Sequence, residues 1–236
     1  MSPLFVLLHS PLLGPSSWRP VADALEREGH RATVPSLSGI AETGPPFWPH
    51  LVTAVVTHLE RTASQKEPVV LVPHSNAGFF VPRLTAEPAI EVAGCVFVDA
   101  ALPARTTKTP VVPPGAMAFL REKATDGVLP PWTEWWDEED LRGLFPDTRT
   151  RRTIVAEQPR LPLAYFEQTV PVPAHWDDLP CVYVQFNAAY DEDARRARDQ
   201  GWRVERIPEE HLHMLVDPTR VARSLVEAAE RTGMGA

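Results

Sequence analysis

Cysteine is scarce. Cys95 and Cys181 are the only two in 236 residues, and each sits in an apolar, strand-like run. Two such residues make no disulfide framework, so we read them as buried free thiols of a reducing compartment. Long apolar stretches are also missing. Leu4 to Leu8 is too short for the core of a secretion signal, no basic segment precedes it, and nothing is long enough to span a bilayer. The expected location is cytoplasmic, with no membrane partner. Positive charge is in deficit: the net charge of -8 argues against nucleic acid as a partner. Internal repeats and low-complexity linkers are absent. No third ligand at zinc-like spacing joins His211 and His213, so no metal is expected.

What is present is a regular alternation. Leu4–Leu8 reads as a buried strand, and Ser17–Glu28 as a helix with Trp18, Val21 and Leu25 on one face, ended by Gly29. A strand at Arg31–Val34, a helix at His50–Thr62, a strand at Val69–Val72, a helix at Asn76–Leu84 and a strand at Ala93–Val98 follow. This βα order predicts an α/β fold: a mostly parallel sheet of about six strands with helices on both faces. The alternation then stops. Prolines and tryptophans crowd the stretch from Leu102 to Pro180, with weak helical signals at Ala116–Lys123, Glu138–Leu144 and Leu161–Gln168. Strands at Cys181–Phe186 and Trp202–Ile207 and helices at Asp191–Asp199 and Pro218–Thr232 complete the pattern. We therefore expect one domain over 1–236, with a cap inserted at about 103–179.

The most informative segment is Val69-Val70-Leu71-Val72-Pro73-His74-Ser75-Asn76-Ala77-Gly78. A β-branched run leads into a serine, and small residues then let a helix start tightly against it. A serine is a poor nucleophile at neutral pH and needs a base, oriented by a third group. Of the histidines that follow it, His211 is the best placed, in His211-Leu212-His213-Met214-Leu215-Val216-Asp217-Pro218.

These segments resemble the α/β-hydrolase superfamily. Leu8-His9-Ser10 is similar to its strand-end His-Gly motif, Trp18 to Leu25 to its first helix, Pro73 to Gly78 to its nucleophile elbow, and His211 to Pro218 to its histidine loop. The resemblance covers nearly the whole chain outside the cap. It implies that Ser75 is the nucleophile and His211 the base, in the chain order serine, acid, histidine. We read His74, beside the serine, as structural, and His9 as holding the loop that ends the first strand. The acid is open: Ala188 stands near the usual position, leaving Asp99, which we favour, at the carboxyl end of a parallel strand, Asp191, which would otherwise cap a helix, or a dyad with no acid. The oxyanion hole is expected from the N–H of Asn76. Its second donor usually follows the His-Gly pair, but here that residue is Pro11, which has no N–H; Ser10 is the substitute candidate. Pro73 and Ala77 stand where the elbow commonly has glycines. A hydroxyl residue beside the first histidine is similar to plant hydroxynitrile lyases of this fold.

Phe79, Trp132, Trp135 and Trp136 are the candidate pocket wall, which implies an apolar small-molecule substrate. The acidic run Glu134 to Asp140 is expected to start a solvated helix. Three functions remain open: a hydrolase of an ester, thioester or lactone; a lyase or cyclase using Ser75 and His211 as acid and base; or a ligand-binding protein without turnover. None requires a cofactor.

Overall fold

The computed structural model describes residues 2–64, 67–113 and 115–234. In chain order the strands are β1 (Leu4–Leu8), β2 (Ala32–Thr33), β3 (Val69–Ser75), β4 (Val92–Ala100), β5 (Lys108–Pro110), β6 (Thr169–Pro171), β7 (Cys181–Gln185) and β8 (Arg203–Arg206). Six of them form one sheet, ordered β2-β1-β3-β4-β7-β8, in which every neighbouring pair is parallel. Such a sheet must be covered on both faces, which explains why β1, β3 and β7 are buried at every position.

The period-2 alternation of side chains sorts these strands into two cores. Val6, Leu71, Phe97 and Tyr183 point to one face, against the helices Trp48–Thr62 and Asp191–Asp199. Phe5, Val70, Val96 and Val182 point to the other, against the helices Arg19–Arg27 and Pro218–Thr232. The helices are α1 (Arg19–Arg27), α2 (Trp48–Thr62), α3 (Val81–Leu84), α4 (Ala116–Lys123), α5 (Thr148–Glu157), α6 (Leu163–Glu167), α7 (Asp191–Asp199), α8 (His213–Val216) and α9 (Pro218–Thr232). Among the described residues no helix is long and apolar enough to cross a membrane.

The stretch between β4 and β7 differs most from its expected form. Glu138–Leu144 is not helical; residues 138–143 form successive turns, and the acidic residues there are exposed. The helix lies further on, at α5, where Asp147 caps it by accepting from the Thr150 N–H at 2.8 Å. Its carboxyl end is tied to the loop after β1, since the Glu157 carboxylate accepts from both the N–H (3.0 Å) and the hydroxyl (2.6 Å) of Ser16. An antiparallel two-stranded ribbon, β5 with β6, joins segments about sixty residues apart. After β3, the expected helix begins as a 3-10 turn over Asn76–Phe80 and becomes α3 only at Val81.

Candidate active site

The carboxyl ends of β1, β3, β4 and β7 lie side by side in the sheet, and Ser75 and Asp99 stand there. Ser75 ends β3 with φ 55 and ψ -127, a conformation costly for any residue with a Cβ. Gly78 makes the tight turn possible: a Cβ there would overlap the carbonyl oxygen of Ala101, just after β4. The expected strained elbow is therefore present, and it leaves Ser75 only 8% exposed.

Asp99 is placed by a bulge. His74 pairs with Val98 and Ser75 with Ala100, so Asp99 is the extra residue on β4, with φ 41. The bulge turns its carboxylate toward the end of β7. One oxygen accepts the N–H groups of Phe186 (2.9 Å) and Asn187 (3.1 Å), and the other meets His211 Nδ1 at 2.6 Å. The carboxylate is fully buried with three hydrogen bonds. The Nδ1–H of His211 donates to it, which leaves Nε2 as the basic nitrogen. Asp191 lies elsewhere: it opens α7 and accepts from Gln185 Nε2 at 2.5 Å. The structure thus brings Asp99, not Asp191, to His211.

The Ser75 hydroxyl is hydrogen-bonded not to His211 but to the Tyr190 hydroxyl, at 3.2 Å. The Tyr190 ring stacks on His211, with centroids 5.1 Å apart and planes 12° from parallel. Catalytic hydrogen bonds of ligand-free enzymes are often made only when substrate arrives, and rotation about the Ser75 Cα–Cβ bond changes the partner of its hydroxyl. Burial, with the Asp99 charge nearby, pushes the Tyr190 phenol well up, so it stays protonated.

Tyr190 and Asn187 are not candidates on sequence grounds, and Tyr165 is one only as a pocket aromatic. Asn187 accepts the Ala189 N–H at 2.9 Å, which sets the turn that carries Tyr190, and donates to Glu210 beside His211 at 3.1 Å. Tyr165 donates to the Asn76 side-chain oxygen at 2.6 Å, while the Asn76 amide donates to the Val111 carbonyl at 2.8 Å. Asn76 therefore ties the elbow to the segment above it, with its own N–H following the nucleophile. The signal was scarcity. The chain has three tyrosines, and all three hydroxyls end at this site: Tyr183 donates to the Ala100 carbonyl at 2.7 Å.

The first-strand loop is closed on itself. Leu13 N–H donates to the Ser10 carbonyl (2.9 Å) and Leu12 N–H to the Ser10 hydroxyl oxygen (3.3 Å). His9 Nδ1–H donates to the same carbonyl (2.8 Å), and its Nε2 accepts the Leu37 N–H (2.9 Å). That pattern requires a neutral imidazole, and burial drives the His9 pKa down to about 4, opposed by the Ser10 carbonyl and the Glu157 charge. His74 is held low by burial and by the neighbouring His211, while its Nε2–H donates to the His211 carbonyl at 3.0 Å. Both rings are ionised more readily in the unfolded chain, near pH 6.5. Stability should therefore be full above pH 6.5 and fall as pH drops toward 4. For His9 alone the loss is about 3 kcal/mol by pH 4. Urea midpoints at pH 7.5 and 4.5 measure it, and equal midpoints would contradict it.

Of the candidate wall residues, only Trp132 approaches the histidine, its ring centroid 6.1 Å from that of His211. Trp135 is buried, with its indole N–H on the Pro130 carbonyl (2.8 Å). Trp136 is 40% exposed and stacks on Phe119. Phe79 is buried in the α2-side core. These three are not in ring contact with His211 among the described residues. An open groove of about 250 Å³ lies outside the histidine loop, between Asn187, Arg206 and Glu210; Ser75 is not in its lining. His213 packs edge-on to Phe186 (5.6 Å), and no cluster among the described residues is suited to a metal.

A family model described as the alpha/beta hydrolase family matches residues 5–224. No curated protein matches the sequence. Among solved structures, an extracellular alpha/beta-hydrolase from a Paenibacillus species superimposes with TM-score 0.74 at 16% identity, covering 96% of this chain and 98% of its own. Polyneuridine aldehyde esterase gives 0.71 at 16% identity, covering 97% and 100%. A pyrethroid hydrolase from Sphingobium faniae JZ-2 gives 0.66 at 18% identity, covering 98% of both chains. At such identities the likeness speaks for the fold alone, and it agrees with the six-stranded parallel sheet. Family match, sheet order and strained elbow agree that the chain belongs to the α/β-hydrolase family.

Proposed function

We propose that this protein is a serine hydrolase that cleaves an ester, thioester or lactone of an apolar small molecule. The observation that carries the reading is the buried Asp99 carboxylate on His211 Nδ1 at 2.6 Å, beside a serine at a strained strand end. Solved neighbours named as an esterase and as a pyrethroid hydrolase support it. In this mechanism Ser75 Oγ attacks the carbonyl carbon and His211 Nε2 takes its proton. Asp99 holds the imidazole in the right tautomer and stabilises the imidazolium. The Asn76 N–H donates to the oxyanion. Collapse of the adduct expels the leaving group, which takes the proton from His211. Water then releases the acid by the same steps in reverse order. The segment over 103–179 acts as the cap, and its aromatic residues favour an apolar substrate in a dry site. The buried thiols of Cys95 and Cys181 suit a cytoplasmic protein.

A lyase or cyclase is the second reading. It is favoured by Pro11, because chemistry without an acyl adduct needs no full oxyanion hole. A fluorophosphonate probe separates the two. Labelling of the wild type at Ser75, absent in Ser75→Ala, together with turnover of an ester panel, is expected. A folded wild type that takes no label would remove the activated serine. Labelling without turnover of any ester would favour the lyase.

A further inference from the structure

We propose that Tyr190 is a catalytic residue whose phenol hydroxyl is the oxyanion donor that Pro11 cannot supply. The proposal rests on the serine-hydrolase reading above. Acyl transfer ordinarily uses two donors aimed at the developing negative oxygen, and losing one typically lowers the rate about 10²–10³-fold. The Asn76 N–H is one. At the usual place of the second donor Pro11 has no N–H, and the next two N–H groups, of Leu12 and Leu13, are both taken up by Ser10. Ser10 keeps its own N–H and hydroxyl proton but is buried in that loop.

Tyr190 fills the gap from the opposite side. Its hydroxyl lies 3.2 Å from Ser75 Oγ, the atom that bonds to the substrate carbon. In the tetrahedral adduct the oxyanion is one bond angle away from that atom, within reach of the same hydroxyl. The donor is also pre-positioned, as electrostatic catalysis requires. The Tyr190 ring is stacked on His211, and the turn 188–190 beneath it is capped by Asn187, whose own N–H is anchored on Asp99. One carboxylate therefore orients the base directly and the phenol through Asn187. Because burial keeps the phenol protonated, it is a donor throughout the working pH range.

The step balances without any further reactant. The Ser75 Oγ–carbon bond forms, the carbonyl π pair moves onto oxygen, and the Ser75 proton passes to His211 Nε2. Tyr190 exchanges its hydrogen bond to Ser75 for one to the oxyanion and keeps its proton. When the adduct collapses, the electron pair returns and the leaving group takes the proton from His211. The bond to the oxyanion is stronger than the one it replaces, so the interaction favours the transition state over the ground state.

Tyr190→Phe removes the hydroxyl and keeps the ring that stacks on His211. It should lower kcat about 10²-fold and weaken binding of a trifluoromethyl ketone, which forms an oxyanion adduct on serine, by a similar factor. KM and the melting temperature should hardly move. Restoring a main-chain N–H with Pro11→Ala in the Tyr190→Phe background should recover part of the loss. A Tyr190→Phe enzyme within about threefold of wild type in kcat and ketone affinity would overturn the proposal. So would a loss shared equally by KM and melting temperature, which marks a packing role. These outcomes are distinct from failure of the hydrolase reading: a wild type that takes no fluorophosphonate at Ser75 overturns both, whereas a labelled wild type matched by Tyr190→Phe overturns only this one.

Discussion

Asp99→Asn is expected to lower kcat about 10⁴-fold while leaving the protein folded. One Asp99 oxygen already accepts two main-chain N–H groups, and an asparagine oxygen can keep both. The amide NH₂ then faces His211 Nδ1, where the carboxylate oxygen sits at 2.6 Å. Two donors cannot share that contact, so the imidazole moves its proton to Nε2. In that tautomer it cannot accept the proton of Ser75. Asp191→Asn provides the contrast, because its carboxylate accepts from Gln185, the last residue of β7, and not from His211. It should stay within a few-fold of wild type. The measurement is kcat on an activated ester, with the fluorophosphonate labelling rate as a second readout. Equal losses in the two variants would remove Asp99 from its proposed role.

Ser75 should show the largest loss of activity and an opposite effect on stability. Ser75→Ala removes the nucleophile, which in comparable sites lowers kcat about 10⁶-fold. The backbone at this position, φ 55 and ψ -127, is equally unfavourable for serine and alanine. Glycine adopts it freely. A conformation of this kind stores about 1–3 kcal/mol, and glycine loses about 0.5–1 kcal/mol through the greater freedom of its unfolded chain. Ser75→Gly should therefore be as inactive as Ser75→Ala but more stable than it, by about 1 kcal/mol. Urea unfolding of the two variants measures the difference. An alanine variant as stable as the glycine variant would show that the elbow holds no strain.

The legible parts of this chain are those written in short-range chemistry. The helix Pro218–Thr232 falls where expected, because Pro218 at its first turn and Gly233 beyond its end are local stop and start signals. Asp191–Asp199 likewise carries its carboxylates in the first turn and arginines near its end. The buried strands were visible as β-branched runs. Helix α5 was not, since Thr148–Glu157 is polar with a single fully buried side chain, Ile154. The run Glu138–Leu144 looked helical by charge alone, but charge does not supply a face to bury. The pairing of β5 with β6 is not legible in the sequence, because each strand has three residues, both carry prolines, and the partners are far apart in the chain.

The site divides in the same way. Ser75 and His211 could be named from local motifs: a strand running into a small-residue turn, and a histidine seven residues before a proline. The choice between Asp99 and Asp191 could not be made along the chain. It depends on a one-residue bulge in the pairing of β3 with β4, and register is a property of two strands, not of either sequence. The contact of Tyr190 with Ser75 spans 115 positions and depends on where the turn after β7 comes to rest. The sequence by itself therefore determined the fold class and the two residues that sit in recognisable turns. Only the tertiary structure decided which carboxylate faces the histidine and which hydroxyl faces the serine, because each contact joins the end of one strand to the loop after another, and these meet only when the sheet assembles.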